Sequence, residues 1–161
     1  MASKKTIVSS NQTITLEKPG AYEFFLTKSG VELTIGGSFR ASGKERVEVR
    51  ITIHHQADHT LANTELHGVA SDEAFISFWG LIKIDPGCPG SNSFLTERIL
   101  LLSPKARAEA VPELEILTDD VKCSHAASIS SIPEEQLFYL MSRGISRKNA
   151  EELVVEGFLG R

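Results

Sequence analysis

The 161-residue chain has two cysteines, one tryptophan and six prolines, and it lacks any apolar run long enough to cross a bilayer. Two cysteines exclude a disulfide-built scaffold. Membrane helices need about 20 consecutive apolar residues, and no segment approaches that. The opening Met-Ala-Ser-Lys-Lys is followed by no apolar stretch, so no secretory leader is expected. A cytoplasmic location with free thiols follows as the expectation. Positive charge is also scarce. Lys and Arg total 17 against 21 Asp and Glu, a net charge of −4, and they form no basic stripe. That argues against nucleic acid as a partner, because phosphate binding draws on clustered cations. Phosphate loops, Gly-x-Gly-x-x-Gly fingerprints, nucleophile elbows and CxxC pairs are all missing, so nothing marks the chain as an enzyme.

What is present is β-pattern. Thr-Ile-Val, Thr-Ile-Thr-Leu and Val-Glu-Leu-Thr-Ile alternate with period 2. In Val47–Ile53, four β-branched residues share one face, and Glu48, Arg50 and Thr52 share the other. Further runs cover residues 74–79, 81–84, 94–102 and 114–117. Pro19-Gly20, Ser29-Gly30, Gly36-Gly37 and Ser42-Gly43 punctuate the early strands. A sandwich, a barrel and a β-solenoid all fit this pattern, and the missing exact repeat weighs slightly against a regular solenoid.

The character changes near Ser131. Ser131 is expected to cap a helix, with Pro133 in its first turn and Glu134 completing a capping box. Gly144 suits the left-handed position after that helix. Ser146 is expected to cap a second one, carrying a stripe of Ala150, Leu153, Val154, Gly157 and Phe158. The expected organisation is a β body over residues 1–130 and a helical subdomain over 131–161.

Two groups could carry chemistry. On a strand, Cys123 and His125 point the same way, about 6.5 to 7 Å apart at ~3.3 Å per residue. They share that face with Val121, Ala127 and Ile129. They read equally well as plain core or as half of a metal or interface site, since zinc and iron sites take three or four protein ligands. The neighbouring Asp119-Asp120 reads as a solvated turn. His54, His55 and His59, with His67 further on, form a lesser metal candidate. They lack a His-x-His pair, and solvated histidines at a strand end are the stronger expectation.

Several motifs occur together and in order: Arg98-Ile-Leu-Leu-Leu-Ser103, Pro112-Glu-Leu-Glu-Ile116, Asp119-Asp-Val-Lys-Cys-Ser-His125 and Leu137-Phe-Tyr-Leu-Met-Ser-Arg-Gly-Ile145. In these the chain resembles the carboxy-terminal half of the SufB/SufD family, scaffold components of iron–sulfur cluster assembly. The resemblance is strong over residues 94–158, weaker over 54–84, and nothing specific precedes residue 45. It implies a right-handed parallel β-helix with a carboxy-terminal αα-hairpin, in a short, minimal, non-enzymatic member of the family. It also implies a homodimer or heterodimer with a SufB/SufD-like paralogue through the last β-helix strands. Cys123 and His125 would lie at that seam, as ligands of iron or a transient cluster and of no permanent cofactor. The helices would dock a SufC-type ABC ATPase through Phe138, Tyr139, Arg143 and Gly144. One departure is visible: the SufD-like His-Gly-Ala-Thr is His125-Ala-Ala-Ser128 here. A different class of function also fits the residues, a non-catalytic β-solenoid interaction module with no cofactor.

Overall fold

Ten strands and two helices make up the computed structural model, which describes residues 3–160. The strands are β1 (Ser3–Val8), β2 (Gln12–Leu16), β3 (Gly20–Leu26), β4 (Glu32–Ala41), β5 (Arg46–His55), β6 (Leu61–Ala70), β7 (Phe75–Ile84), β8 (Asn92–Leu101), β9 (Arg107–Ile116) and β10 (Lys122–Ser131). The helices are α1 (Glu134–Ser142) and α2 (Arg147–Leu159). Odd strands form one parallel sheet in the order β1-β3-β5-β7-β9, and even strands form a second in the order β10-β8-β6-β4-β2. Each turn of chain therefore adds one strand to each sheet. That is a parallel β-solenoid followed by an αα-hairpin, as expected.

The solenoid has a repeat, but in register rather than in residue identity. Glu32 pairs with Leu61, Leu61 with Asn92, and Asn92 with Lys122, which are 29, 31 and 30 residues apart. Stacking in register builds columns of inward side chains. Phe24, Ile53, Ile82 and Leu114 form one, and Ile35, Thr64, Leu95 and His125 form another. Most members of such columns are apolar and fully buried, and together they make a single core between the sheets.

The expected strand runs omit β3 and β6. In β6 the inward residues are Ala62, Thr64, Leu66, Gly68 and Ala70, all but Leu66 small or polar, so they give little hydrophobic alternation. Their size is a packing requirement. A Cβ on Gly68 would lie 3.0 Å from the Phe78 ring and 3.2 Å from Ile76. The runs at 74–79 and 81–84 are one strand, and β9 begins well before residue 114.

The start of α1 also differs from expectation. Ser131 is the last residue of β10, Pro133 is the N-cap with no side-chain hydrogen bond, and no capping box forms. Proline's missing N–H and fixed φ suit that boundary without a cap. Gly144 does take the left-handed conformation after α1 (φ 87°), and the Ser146 side chain accepts from the Asn149 N–H. In α2 the buried residues are Ala150, Val155 and Leu159, while Leu153 is exposed. The buried face is thus rotated from the expected stripe. The reason is the surface it meets: Val155 and Leu159 pack on Val69 and Leu100, outward residues of β6 and β8. Arg40 holds the same helix through Glu152 and Glu156, and Phe158 meets the His67 ring edge-on.

One corner of the solenoid is polar inside. His55 is fully buried; its Nδ1 lies 2.7 Å from Thr60 Oγ1, which is 3.0 Å from Ser91 Oγ. Burial first, and then the nearby His54, lower the His55 pKa to about 4. The folded pKa is below the unfolded value near 6.5, so His55 stays neutral in the fold. Its contribution is complete above about pH 6.5 and lost as pH falls toward 4. The loss amounts to about 3 kcal/mol at 1.36 kcal/mol per unit. Urea midpoints measured from pH 7.5 to 4.5 should fall accordingly, and His55→Gln should flatten that slope.

Candidate functional site at the last turn

The final two strands close the solenoid at one end, and nothing among the described residues covers them. Large apolar side chains remain open there: Leu114, Ile116 and Ile129 are 49, 39 and 46% exposed, although each stands in an inward column. Leu117, just beyond β9, is equally exposed. The last turn is therefore a half-built core.

β10 carries Cys123 and His125 inward, as their spacing requires. Cys123 stacks beside Ser93 and His125 beside Leu95. The Cys123 thiol is half-buried and free. Burial pushes its pKa above the ordinary cysteine value, partly offset by a backbone hydrogen bond from Ser93. The thiolate is the ligand and nucleophile. Burial thus disfavours the thiolate at this position. Cys88, also free, is buried at the polar corner and likewise pushed up by burial.

His125 does not face out toward the solvent. Its side chain is 2% exposed, and Nε2 lies 3.3 Å from Oε2 of Glu97, whose side chain is fully buried. Neither the two ring nitrogens nor the two carboxylate oxygens have a hydrogen-bond partner of good geometry. The opposite sheet makes room for this pair. At Gly80, an added Cβ would lie 2.4 Å from Leu95 Cδ2 and 2.9 Å from both Glu97 Oε1 and His125 Cε1. Sequence reading missed Glu97 and Gly80. Glu97 did carry a signal, since in Ser93–Ile99 it has the same parity as Leu95 and Ile99 and so must point inward.

The other histidines do not gather. His54 and His55 face opposite sides of β5, the first pairing with Asp85 at 2.8 Å and the second with Thr60. His55 is thus core, not the solvated strand-end residue expected. His59 sits in a turn beside Asp58, and His67 lies under α2. Among the described residues, no three His, Cys, Asp or Glu side chains converge as a metal site.

The hairpin shows a second surface. Phe138 is 74% exposed, and Tyr139, Met141 and Leu153 are all largely open. Arg143 lies over the Tyr139 ring at 5.3 Å, and Gly144 turns the chain beside them. Leu137 faces inward, and Arg147 clamps Glu134 through two hydrogen bonds, so the exposed side is held on a fixed hairpin. Phe138, Tyr139, Arg143 and Gly144 therefore share one region, apart from Cys123 and His125. No helix among the described residues is long and apolar enough to cross a membrane.

The fold is that of a parallel β-solenoid with an exposed apolar last turn and an attached helical hairpin. The particular family follows from comparison: residues 5–158 match the model of the SUF system FeS cluster assembly SufBD core domain, and the chain belongs to that family. The match reaches further toward the amino terminus than the motifs alone indicated. Iron-sulfur cluster assembly protein SufD of Bacillus subtilis is 48% identical over 93 residues, 58% of this chain and 21% of that protein. SufD of Escherichia coli is 38% identical over 90 residues, covering 56% and 21%. SufB of Bacillus subtilis is 32% identical over 105 residues, covering 65% and 23%. The chain thus spans about a fifth of the length of these relatives.

Two measurements check this geometry. Alkylation of Cys123 at pH 7.5 should be slower than that of a free thiol and should rise with pH beyond the usual cysteine range. Gly80→Ala should lower stability by about 1–3 kcal/mol through overpacking against Leu95, Glu97 and His125, seen as a drop of several degrees in the melting midpoint.

Proposed function

We propose that this chain is a scaffold subunit of iron–sulfur cluster assembly that acts by holding partners rather than by catalysis. The observation that carries this reading is the family match over residues 5–158. The uncapped last turn supports pairing with a second copy or with a SufB/SufD-like paralogue. Exposed Leu114, Ile116, Leu117 and Ile129 would be covered by such pairing, which the hydrophobic effect favours. Cys123 and His125 stand on the terminal strand, next to that seam. Two ligands from each chain, related by a two-fold axis, make the four that a cluster or iron site takes. Iron and sulfide are here cargo under assembly, and iron is the cation that would draw the proton from Cys123.

The hairpin is the docking surface for a SufC-type ABC ATPase, through Phe138, Tyr139, Arg143 and the Gly144 turn. A large aromatic left almost bare on a braced helix suits an interface anchor. ATP chemistry belongs to that partner, since this chain has no nucleotide loop. A second reading, an interaction module without cofactor, has the raised pKa of Cys123 in its favour, because a protonated thiol is a packing group.

Anaerobic reconstitution with iron and sulfide separates the two readings. The wild type should develop sulfide-to-iron absorption that Cys123→Ala loses by tenfold or more; equal, featureless spectra would exclude the cluster role. Pull-down with the matching ATPase should weaken at least tenfold in the Phe138→Ala/Tyr139→Ala double variant with the melting midpoint unchanged. Retained binding would remove the hairpin from the docking model.

A further inference from the structure

The tripeptide Lys-x-Arg occurs twice, as Lys44-Glu45-Arg46 and as Lys105-Ala106-Arg107. The solenoid brings the two copies together. Arg46, Phe75 and Arg107 are the first residues of β5, β7 and β9, and in register Arg46 lies beside Phe75 and Phe75 beside Arg107. We propose that this row and its two lysines form a binding site for an oligophosphate chain, free or as the tail of a nucleotide, on the outer face of the odd sheet. The juxtaposition of four cations around one aromatic ring, in a chain of net charge −4, carries the proposal.

Lys44, Arg46, Phe75, Lys105 and Arg107 line a groove of about 540 Å³, a size that takes a small molecule. The middle turn makes the groove, since it carries Glu73-Ala74-Phe75 where the turns on either side carry Lys-x-Arg. The other charged groups in the lining are Glu45 and Glu73. Glu45 is turned back onto the Ser42 N–H, and Glu73 pairs with Lys105 at 2.9 Å. Arg46 reaches Glu48 at 3.2 Å. Lys44 and Arg107 pair with no carboxylate among the described residues. Four cations against two lining carboxylates leave the groove positive. Cations gathered in this way repel one another, and an anion between them removes that cost. Phe75 also prepares the site. The Arg46 guanidinium lies over its ring, 4.2 Å from the centroid. Stacking fixes the guanidinium plane and leaves N–H donors beyond the one given to Glu48.

Charge spacing selects the ligand. Arg46 and Arg107 stand two strands apart, about 9–10 Å from backbone to backbone. Guanidinium forks and lysine ammoniums both hold phosphate oxygens. One phosphate is too short to engage both arginines. An extended acidic peptide presents a carboxylate on a given face about every 6.5–7 Å, so at most two would meet the row. A phosphate chain carries charge on each successive unit and sets several against the same four cations. The site uses neither Cys123 nor His125 and needs no second chain, so it stands apart from the assembly role proposed above.

Calorimetric titration of the full chain with inorganic tripolyphosphate, ATP and orthophosphate, in low-salt buffer without magnesium, provides the test. Tripolyphosphate should bind one per chain, at least about tenfold tighter than orthophosphate, and should weaken as salt rises. The Arg46→Gln/Arg107→Gln double variant should bind it at least about tenfold more weakly. Its melting midpoint should be unchanged, because both side chains are exposed. Lys28→Gln/Lys148→Gln removes the same charge elsewhere and should leave binding within about twofold. Whichever of ATP and tripolyphosphate binds more tightly names the source of the chain, a nucleotide or free polyphosphate. No binding of either at millimolar concentration overturns the site. Equal weakening in the two double variants overturns it as well, since the attraction would then be to net charge alone. A hexaglutamate peptide that binds more tightly than tripolyphosphate, and loses that binding in Arg46→Gln/Arg107→Gln, overturns the oligophosphate reading and assigns the row to an acidic protein segment.

Discussion

Every feature of this protein depends on one constraint: parallel strands stacked in register, so that each inward position sits above an inward position one turn away. The spacing of 29 to 31 residues between paired strands from β4 to β10 fixes these columns. Within a column a residue is buried by its neighbours above and below, and the hydrophobic effect rewards each added turn. The same rule makes the ends special. At the last turn the column has a neighbour on one side only, so Leu114, Ile116 and Ile129 occupy core positions yet stay wet. An apolar end is therefore a consequence of the architecture. The chain gains a candidate seam wherever its stack stops without a cap.

Columns also explain how polar groups enter the interior. At the corner, His55 and Thr60 of one turn and Ser91 of the next are linked through hydroxyl bridges. Near the open end, Glu97 and His125 come from adjacent strands but lack such a bridge. The two clusters contrast in hydrogen bonding rather than in burial. One is bridged by hydroxyls, although His55 Nε2 has no partner, consistent with a structural role. The other leaves both ring nitrogens and both carboxylate oxygens without a partner. The hairpin stands on the outside of the even sheet, with its own small core around Val69, Leu100, Val155 and Leu159. Its exposed aromatics and the interior cluster thus lie in different parts of the fold.

How much was legible in the residues differs between elements. Val47–Ile53 announces its strand because its inward residues are all β-branched. β6 hides because Ala62 and Thr64 are small or polar and because Gly68 leaves room for Phe78 and Ile76 from across the core. Ser146 and Gly144 serve as the local chemistry demands, since capping and left-handed backbone are decided within a few residues. Ser131 does not cap, because β-pairing with Leu101 claims it first. The stripe of α2 was rotated in expectation because its buried face is set by Val69 and Leu100, residues far away in sequence.

Sequence by itself determined the β-rich body, the helical tail, the parity that sends Cys123 and His125 to one side, and, through ordered motifs, the family. These rest on local periodicity and on residue order, which need no knowledge of neighbours. Only the tertiary structure decided that His125 turns away from solvent toward Glu97, that Gly80 makes room for both, and that the remaining histidines scatter. Those facts depend on which strands stack and which sheet faces which, and residues 17 to 45 positions apart come together only when the solenoid closes.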